Sequence, residues 1–174
     1  MSASHPAAFE LSRVLIWILL ALNLFAGAVV ALMLPGSFLF ADVIIDFFTR
    51  RPAESHAAVL LWTLRVWGLI ALALIATVHV SLTRLLAMIA TVREGDPFVP
   101  ENAARLKTIA WCLLFAQIVH LISGVMARLM TEAGSKIDWQ WNGLAGWLGV
   151  VLVFVLARVF EEGTRIRADL KAMI

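Results

Sequence analysis

Four segments of the chain are apolar over about the length that a helix needs to cross a lipid bilayer. A bilayer core of about 30 Å takes about 20 mainly apolar residues at a rise of about 1.5 Å each. Segments of this kind, bounded by charged residues or by Pro and Gly, lie at about residues 14–34, 59–82, 108–127 and 141–157. We predict an all-α membrane protein in which four transmembrane helices form one domain over residues 1–174.

The ends of the predicted helices carry recognisable backbone signals. Pro35 and Gly36 predict that the first helix stops there. The apolar periodicity of the second helix continues past the membrane, and Gly95 then favours a left-handed turn at its C-terminus. Pro100 suits the first turn of the third helix. Residues 84–107 are therefore predicted to form a loop region that projects from the membrane.

Two further segments have helical patterns outside the spans. Within residues 37–49 the acidic Asp42 and Asp46 recur four residues apart among apolar side chains. We interpret this segment as an extension, outside the cytoplasm, of the hairpin that the first two spans form. The alternative is a helix that lies in the lipid–water interface on the non-cytoplasmic side of the membrane. Residues 158–174 extend the fourth helix and offer five apolar side chains to one face: Val159, Phe160, Ile166, Leu170 and Ile174.

The composition excludes several classes of protein. Hydrophobic residues make up 62% of the chain and charged residues 15%, whereas soluble domains have about 45–50% and about 25%. Lipid must therefore cover much of the apolar surface. The single cysteine, Cys112, excludes a disulfide scaffold and a CxxC motif. A net charge of +2 is too small to indicate direct binding of nucleic acid.

The placement of Lys and Arg indicates the orientation, because cationic segments resist translocation across the membrane. Nine of the fourteen cationic residues lie on the side that holds both termini and the 84–107 loop: Arg13, Arg84, Arg93, Arg105, Lys107, Arg158, Arg165, Arg167 and Lys171. The other side holds Arg50, Arg51, Arg128, Lys136 and, near the start of the second span, Arg65. We predict a multi-pass protein of the bacterial cytoplasmic (inner) membrane with both termini in the cytoplasm.

A cleaved signal peptide is the competing interpretation of the first span. Ala26, Gly27 and Ala28 offer a small-residue cleavage site. However, the apolar run over residues 14–34 exceeds the roughly 7–15 residues usual for the apolar region of a signal peptide. The charge distribution also suits an even number of spans, so we interpret the segment as a retained helix.

Four polar side chains fall inside the predicted spans, where an unsatisfied polar group is costly. They are Asn23, His79, Gln117 and His120. We interpret them as groups that form hydrogen bonds between helices, with a ligand, relay or proton-sensing role of His120 as the alternative. The two histidines differ in depth by about 12 Å at about 1.5 Å per residue, which is a poor arrangement for two axial ligands of one haem. Gly143, Gly146 and Gly149 predict a close helix approach in the fourth span.

No catalytic, cofactor-binding or metal-binding site is predicted. The sequence contains no phosphate-binding loop, nucleophile elbow or HExxH zinc motif. We therefore expect a non-enzymatic protein that needs no cofactor. A small transporter, channel or proton-linked module that uses His120 and Gln117 is the alternative from another functional class, and haem or quinone binding is a third.

Two strings of residues resemble a known family. The first is Glu94-Gly95-Asp96-Pro97-Phe98 with Glu101-Asn102 and Arg105-Leu106, and the second is Val155–Gly163 with Leu170. Together they resemble a bacterial family of small four-helix membrane proteins, domain of unknown function 2975. The resemblance implies no activity, cofactor or catalytic residue. It implies an association with a small helix-turn-helix regulator, whose gene is often adjacent. Val99 departs from the pattern, because a helix-capping hydroxyl residue is often found there.

These features favour a cytoplasmic face that binds a soluble helix-turn-helix transcriptional regulator. The middle loop and the C-terminal helix supply the candidate docking residues: Glu94, Asp96, Phe98, Glu101, Arg105, Glu161, Glu162 and Arg165. The lipid bilayer is the other expected partner. Self-association into a homo-oligomer is an open alternative.

Overall fold

The computed structural model describes residues 5–48, 54–132 and 144–172, and over these ranges the ordered elements are all α-helices. They are α1 (His5–Leu39), α2 (Ala41–Phe48), α3 (Glu54–Arg93), α4 (Pro100–Glu132) and α5 (Ala145–Ala172). The predicted all-α fold is therefore confirmed. The predicted start of the fourth span at Trp141, and Gly143, lie outside the described residues.

Three of the helices are long and apolar enough to cross a membrane: Phe9–Leu39, Leu61–Arg93 and Pro100–Arg128. Few of the residues in these segments are buried inside the protein, and large side chains such as Phe25 and Leu32 are at least 70% exposed. Apolar surface of this extent needs lipid as its solvent. The chain is thus an all-α membrane protein.

The described part of the predicted fourth span is shorter. In α5 the uncharged run extends from Ala145 to Ala157 and ends at Arg158, which is about 20 Å of helix at about 1.5 Å per residue. A full crossing of about 30 Å needs the residues before Ala145 as well. The count of four spans therefore stays a prediction.

Helix α1 does not end at Pro35, which corrects the predicted stop. Pro35 lies inside the helix, which continues to Leu39. A proline removes only one main-chain donor, and transmembrane helices tolerate this loss where nearby hydroxyl groups and neighbouring helices satisfy the freed backbone. Pro35 leaves only the Ala31 carbonyl without its helical donor, and beyond the proline the Ser37 hydroxyl donates an additional hydrogen bond to the Leu34 carbonyl at 2.6 Å. The predicted amphipathic segment 37–49 is consequently shared between the end of α1 and the short helix α2.

The chain divides into two compact units. One unit comprises Ile18–His79, and the other combines Met1–Trp17 with Val80–Ile174. We call them the hairpin unit and the helical-face unit, and each is described by itself.

In the hairpin unit, α1 and α3 approach closely through small and polar residues. The Asn23 side-chain amide donates a hydrogen bond to the Ile75 carbonyl at 3.1 Å. A Cβ atom built on Gly27 would lie 3.2 Å from Ile75 Cγ2, and one on Gly68 would lie 2.8 Å from Leu34 Cδ2. Small residues at a helix interface allow this approach where lipid offers no hydrophobic driving force.

In the helical-face unit, α4 packs along α5. The buried apolar side chains are mainly small, and they include Ala110, Ala127, Val150 and Ala157. Trp111 and Phe154 contact each other edge to face across the two helices, with ring centroids 5.4 Å apart. At the start of α1, Glu10 pairs with Arg93 at the end of α3 with an N–O distance of 3.0 Å.

Candidate docking face

The C-terminus of α3 is closed by a glycine turn. Gly95 has a φ of 84°, the left-handed conformation that side chains with a Cβ rarely adopt. Its N–H donates to the Val92 carbonyl at 3.1 Å, and the N–H of Asp96 donates to the Thr91 carbonyl at 3.2 Å. These two bonds form a Schellman motif. The left-handed turn predicted at Gly95 is confirmed, and it sends the chain back toward α4.

Asn102 connects α3, the middle loop and α4. Its side chain is 0% exposed, and its amide nitrogen donates to Thr91 Oγ1 at 2.7 Å and to the Pro97 carbonyl at 2.9 Å. Its amide oxygen accepts from Arg105 Nη1 at 2.8 Å, and the same nitrogen of Arg105 lies 3.2 Å from the Ala87 carbonyl. A buried amide with this set of partners fixes the loop in one conformation.

The middle loop is also fastened to α5. Asp96 forms an ion pair with Arg167. The ring of Phe98 lies 5.2 Å from that of Phe160. It also covers Gly163, where an added Cβ would meet the Phe98 ring at 2.9 Å. Gly163 therefore makes room for Phe98, and the loop and the C-terminal half of α5 form one surface.

The structure assigns the eight candidate docking residues to different environments. Three of them contact neighbouring elements of the protein: Asp96, Phe98 and Arg105. Three others pair along α5, where Glu161 binds Arg158 and Glu162 binds Arg165, each with an N–O distance of 3.0 Å. Glu94 and Glu101 are exposed. The docking role of these residues stays a prediction.

An apolar ridge on α5 was not among the predicted docking residues. Val159, Ile166 and Leu170 are 55%, 53% and 54% exposed and share one face at 3.6 residues per turn. They lie beyond Arg158, where the helix has become charged. The periodicity had placed them on a face together with Phe160, but Phe160 faces the loop. Phe98 covers Phe160, and Ile174 lies outside the described residues, so among the residues that the structure describes the ridge is the exposed part of that apolar set.

The four polar residues of the predicted spans are distributed over three helices. Asn23 bonds to α3, as expected for a structural group. A Cβ on Gly146 would overlap the side-chain amide of Gln117, so Gly146 marks the predicted close approach between α4 and α5. The prediction is wrong for Gly149, where an added Cβ would meet no atom within 4 Å. His79 on α3 and His120 on α4 are half-buried. Among the described residues, His, Cys, Asp and Glu form no group of three that could hold a metal ion.

Comparison with known sequences identifies the family. Residues 48–174 match the family described as Protein of unknown function (DUF2975). No curated protein and no solved structure matches the chain significantly. The matched range contains both the middle loop and the C-terminal helix, whose motif strings predicted this assignment. Because the match covers more than half of the sequence, the chain belongs to the DUF2975 family.

Proposed function

We propose that this chain is a non-enzymatic protein of the bacterial cytoplasmic membrane that binds a soluble helix-turn-helix regulator on its cytoplasmic face. The observation that carries the proposal is the apolar ridge of Val159, Ile166 and Leu170. These side chains belong to a helix segment with charges on its other faces, and lipid is not the expected solvent for such a segment. An exposed apolar ridge with polar residues around it is typical of a surface that receives a partner.

The packing of the loop supports the same surface. Asp96 and Phe98 hold the middle loop against α5, so the ridge lies on a helix that is braced along its length. A braced helix loses little conformational entropy when a partner binds, and more of the contact energy then appears as affinity. Glu162 and Asp169 lie along one side of the ridge at 3.6 residues per turn and give that side a polar edge, as the rims of protein interfaces have.

The proposed orientation is tested first. Reporter fusions at Pro52 and at Ile174 are expected to report opposite sides of the membrane, with Ile174 in the cytoplasm. The reason is the excess of Lys and Arg on the side of the termini. Alkaline phosphatase and green fluorescent protein fusions measure the two locations. Reports of the same side for both positions would contradict the topology.

The docking proposal is tested by substitution within the ridge. Co-expression with the helix-turn-helix protein encoded beside this gene, followed by purification in detergent, is expected to recover both proteins. Ile166→Asp and Leu170→Asp are expected to reduce the recovered regulator at least tenfold, because each places an unpaired charge in the centre of an apolar contact. Truncation after Ala157 removes the ridge and is expected to abolish recovery.

Ala168→Asp is the matched control for these variants. Ala168 is exposed on the same segment of α5, but it lies on the face opposite the ridge at 3.6 residues per turn. It introduces the same charge into the same helix, so it is expected to leave recovery of the regulator unchanged. Equal losses with Ala168→Asp and Ile166→Asp would show that charge alone, and not the ridge, decides the outcome. A regulator that never co-purifies with the intact protein would remove the proposal.

A further inference from the structure

A groove of about 460 Å³ lies between the first turns of α4 and the middle of α5. Its lining includes small residues and an aromatic ring as well as charged groups, among them Ala104, Lys107, Phe154, Ala157, Arg158 and Glu161. The groove is separate from the apolar ridge, because its α5 residues lie on the side of the helix opposite Val159 and Ile166. The groove and the ridge can therefore bind different ligands.

The end of the groove nearer the apolar runs of the two helices combines cations with an aromatic ring, namely Lys107 of α4 with Phe154 and Arg158 of α5, whereas Pro100, Ala103 and Thr164 line the other end. Lys107 is the last charged residue before the apolar run of α4, and Trp111 follows it one turn later. Arg158 is the first charged residue after the apolar run of α5, and Phe154 precedes it by one turn. Each aromatic ring therefore lies on the side of its cation that faces the apolar run. The two rings also contact each other, with centroids 5.4 Å apart. Cations outside and aromatic rings at the interface are the arrangement found at a membrane surface.

We propose that this groove binds an anionic phospholipid, with the headgroup phosphate between Lys107 and Arg158 and the glycerol and acyl ends against Ala157 and the aromatic pair. Basic pockets between transmembrane helices bind anionic headgroups through this combination of charge and apolar contact. A planar guanidinium can present two donors to phosphate oxygens, and an ammonium adds a point charge. Phe154 and Ala157, with Trp111 against the Phe154 ring, distinguish a lipid from free phosphate, because only a lipid has apolar chains that can contact them.

Glu161 sets the strength of the site. Its carboxylate binds Arg158 Nη1 at 3.0 Å, while the Arg158 side chain is still 75% exposed. The guanidinium therefore keeps donors for a second partner. A phosphate that enters the groove must share Arg158 with Glu161 and must approach the carboxylate charge. Removing that charge should strengthen binding, whereas removing either cation should weaken it.

Lipid preference of the full-length protein tests the proposal. Native mass spectrometry is performed on protein in detergent with phosphatidylglycerol or phosphatidylcholine added at equal concentration. We expect phosphatidylglycerol to bind preferentially. Lys107→Gln and Arg158→Gln are each expected to reduce its affinity about fivefold, since a Lys or Arg near an anionic membrane surface contributes about 1 kcal/mol. Glu161→Gln is expected to raise the affinity by a similar factor.

Arg165→Gln is the control, because Arg165 is also an ion-paired arginine of α5 and lies about two turns farther from the membrane, outside the groove. Its affinity for phosphatidylglycerol should match that of the wild type, and thermal unfolding in detergent shows whether each variant is folded. Equal affinity for the two lipids, or weaker binding in Glu161→Gln, would overturn the proposal. Complete displacement of the lipid by millimolar inorganic phosphate would overturn the choice of a lipid as the ligand. None of these outcomes depends on the regulator.

Discussion

Replacing Asn102 with Ala is expected to lower the free energy of unfolding by about 2–4 kcal/mol, because each buried polar group left without its partner costs about 1–3 kcal/mol. The side chain is fully buried. Its loss leaves the Pro97 carbonyl and the Arg105 guanidinium without the amide that joins them. Thr91 loses a 2.7 Å hydrogen bond as well. Unfolding in mixed micelles of a mild detergent and dodecyl sulfate, followed by circular dichroism, measures the change.

Two further variants separate the network from a general effect of substitution. Asn102→Asp keeps an acceptor for Arg105 and loses both donated hydrogen bonds, so we expect a loss between that of the alanine variant and zero. Thr108→Ala removes a hydroxyl that donates to the Ala104 carbonyl of its own helix at 3.0 Å. Exposed intrahelical bonds of this kind contribute little, and we expect a change within about 0.5 kcal/mol. A loss in Thr108→Ala as large as that in Asn102→Ala would contradict the role of the network.

The Asn102 network also affects the proposed docking surface. It fixes the Pro97 carbonyl and thereby the start of the segment that presents Phe98 to α5. When this anchor is lost, Phe98 and Asp96 no longer brace α5 from a fixed loop. We therefore expect Asn102→Ala to weaken recovery of the regulator even though Asn102 is buried and contacts no partner.

Local backbone chemistry made the ends of the middle loop predictable. A glycine followed by a proline two residues later ends a helix in almost any surroundings, because only glycine adopts positive φ at little cost and proline lacks the N–H that a helix interior needs. The structure has Gly95 in this conformation and begins α4 at Pro100. The length and hydropathy of the apolar runs similarly predicted an all-α membrane protein, since both follow directly from the order of residues along the chain.

The stop predicted at Pro35 was wrong because the local sequence does not show which groups of the folded chain lie near the proline. Proline costs a helix one hydrogen bond, and whether the helix ends depends on which other groups lie near the gap. Here the proline leaves only the Ala31 carbonyl without its helical donor, and farther along Ser37 and Arg65 bond the Leu34 and Ser37 carbonyls in the last turns of α1. The contact with Arg65 is a tertiary fact, because that residue is 28 positions from Ser37 in the sequence.

The side chains of the candidate docking face also depend on tertiary contacts that the local sequence does not predict. The sequence predicted Asp96 and Arg105 as docking residues, but in the structure Asp96 pairs with Arg167 and Arg105 bonds the buried Asn102. Charge alone does not predict which partner a charged side chain finds. The helical period correctly grouped Val159 and Ile166, and it also grouped Phe160 with them. Which of the three remain exposed was decided by Phe98, whose position depends on the loop.

Replacing Arg65 with Met is expected to destabilise the hairpin unit by about 2–4 kcal/mol, since a hydrogen bond to a charged group contributes about 1.5–3 kcal/mol and a desolvated cation–π contact adds to it. Arg65 Nη2 donates to the Ser37 carbonyl at 3.0 Å, and Nε lies 3.3 Å from Ser37 Oγ. The guanidinium carbon is 3.7 Å from the centre of the Phe38 ring and 5.4 Å from that of Trp62.

The physical reason is that Arg65 caps the C-terminus of α1. The last carbonyl groups of a helix have no partner within it and carry the negative end of its dipole, so a cation there is favourable. Ser37 is only 2% exposed, and neither lipid nor water replaces the guanidinium once it is removed. Arg65→Lys keeps the charge but loses the planar group that bonds Ser37 and stacks on Phe38, so we expect it to restore less than half of the lost stability.

Mixed-micelle unfolding measures the total loss, and hydrogen exchange measures where it occurs. In Arg65→Met we expect the amides of residues 36–44 to exchange faster, because these residues form the junction of α1 and α2 that the arginine holds. Arg84→Met is the control, since Arg84 is an exposed arginine of the same helix in the other unit, and it should change stability by no more than about 0.5 kcal/mol. Unchanged exchange at residues 36–44 in Arg65→Met would show that the α1 terminus is capped by another group.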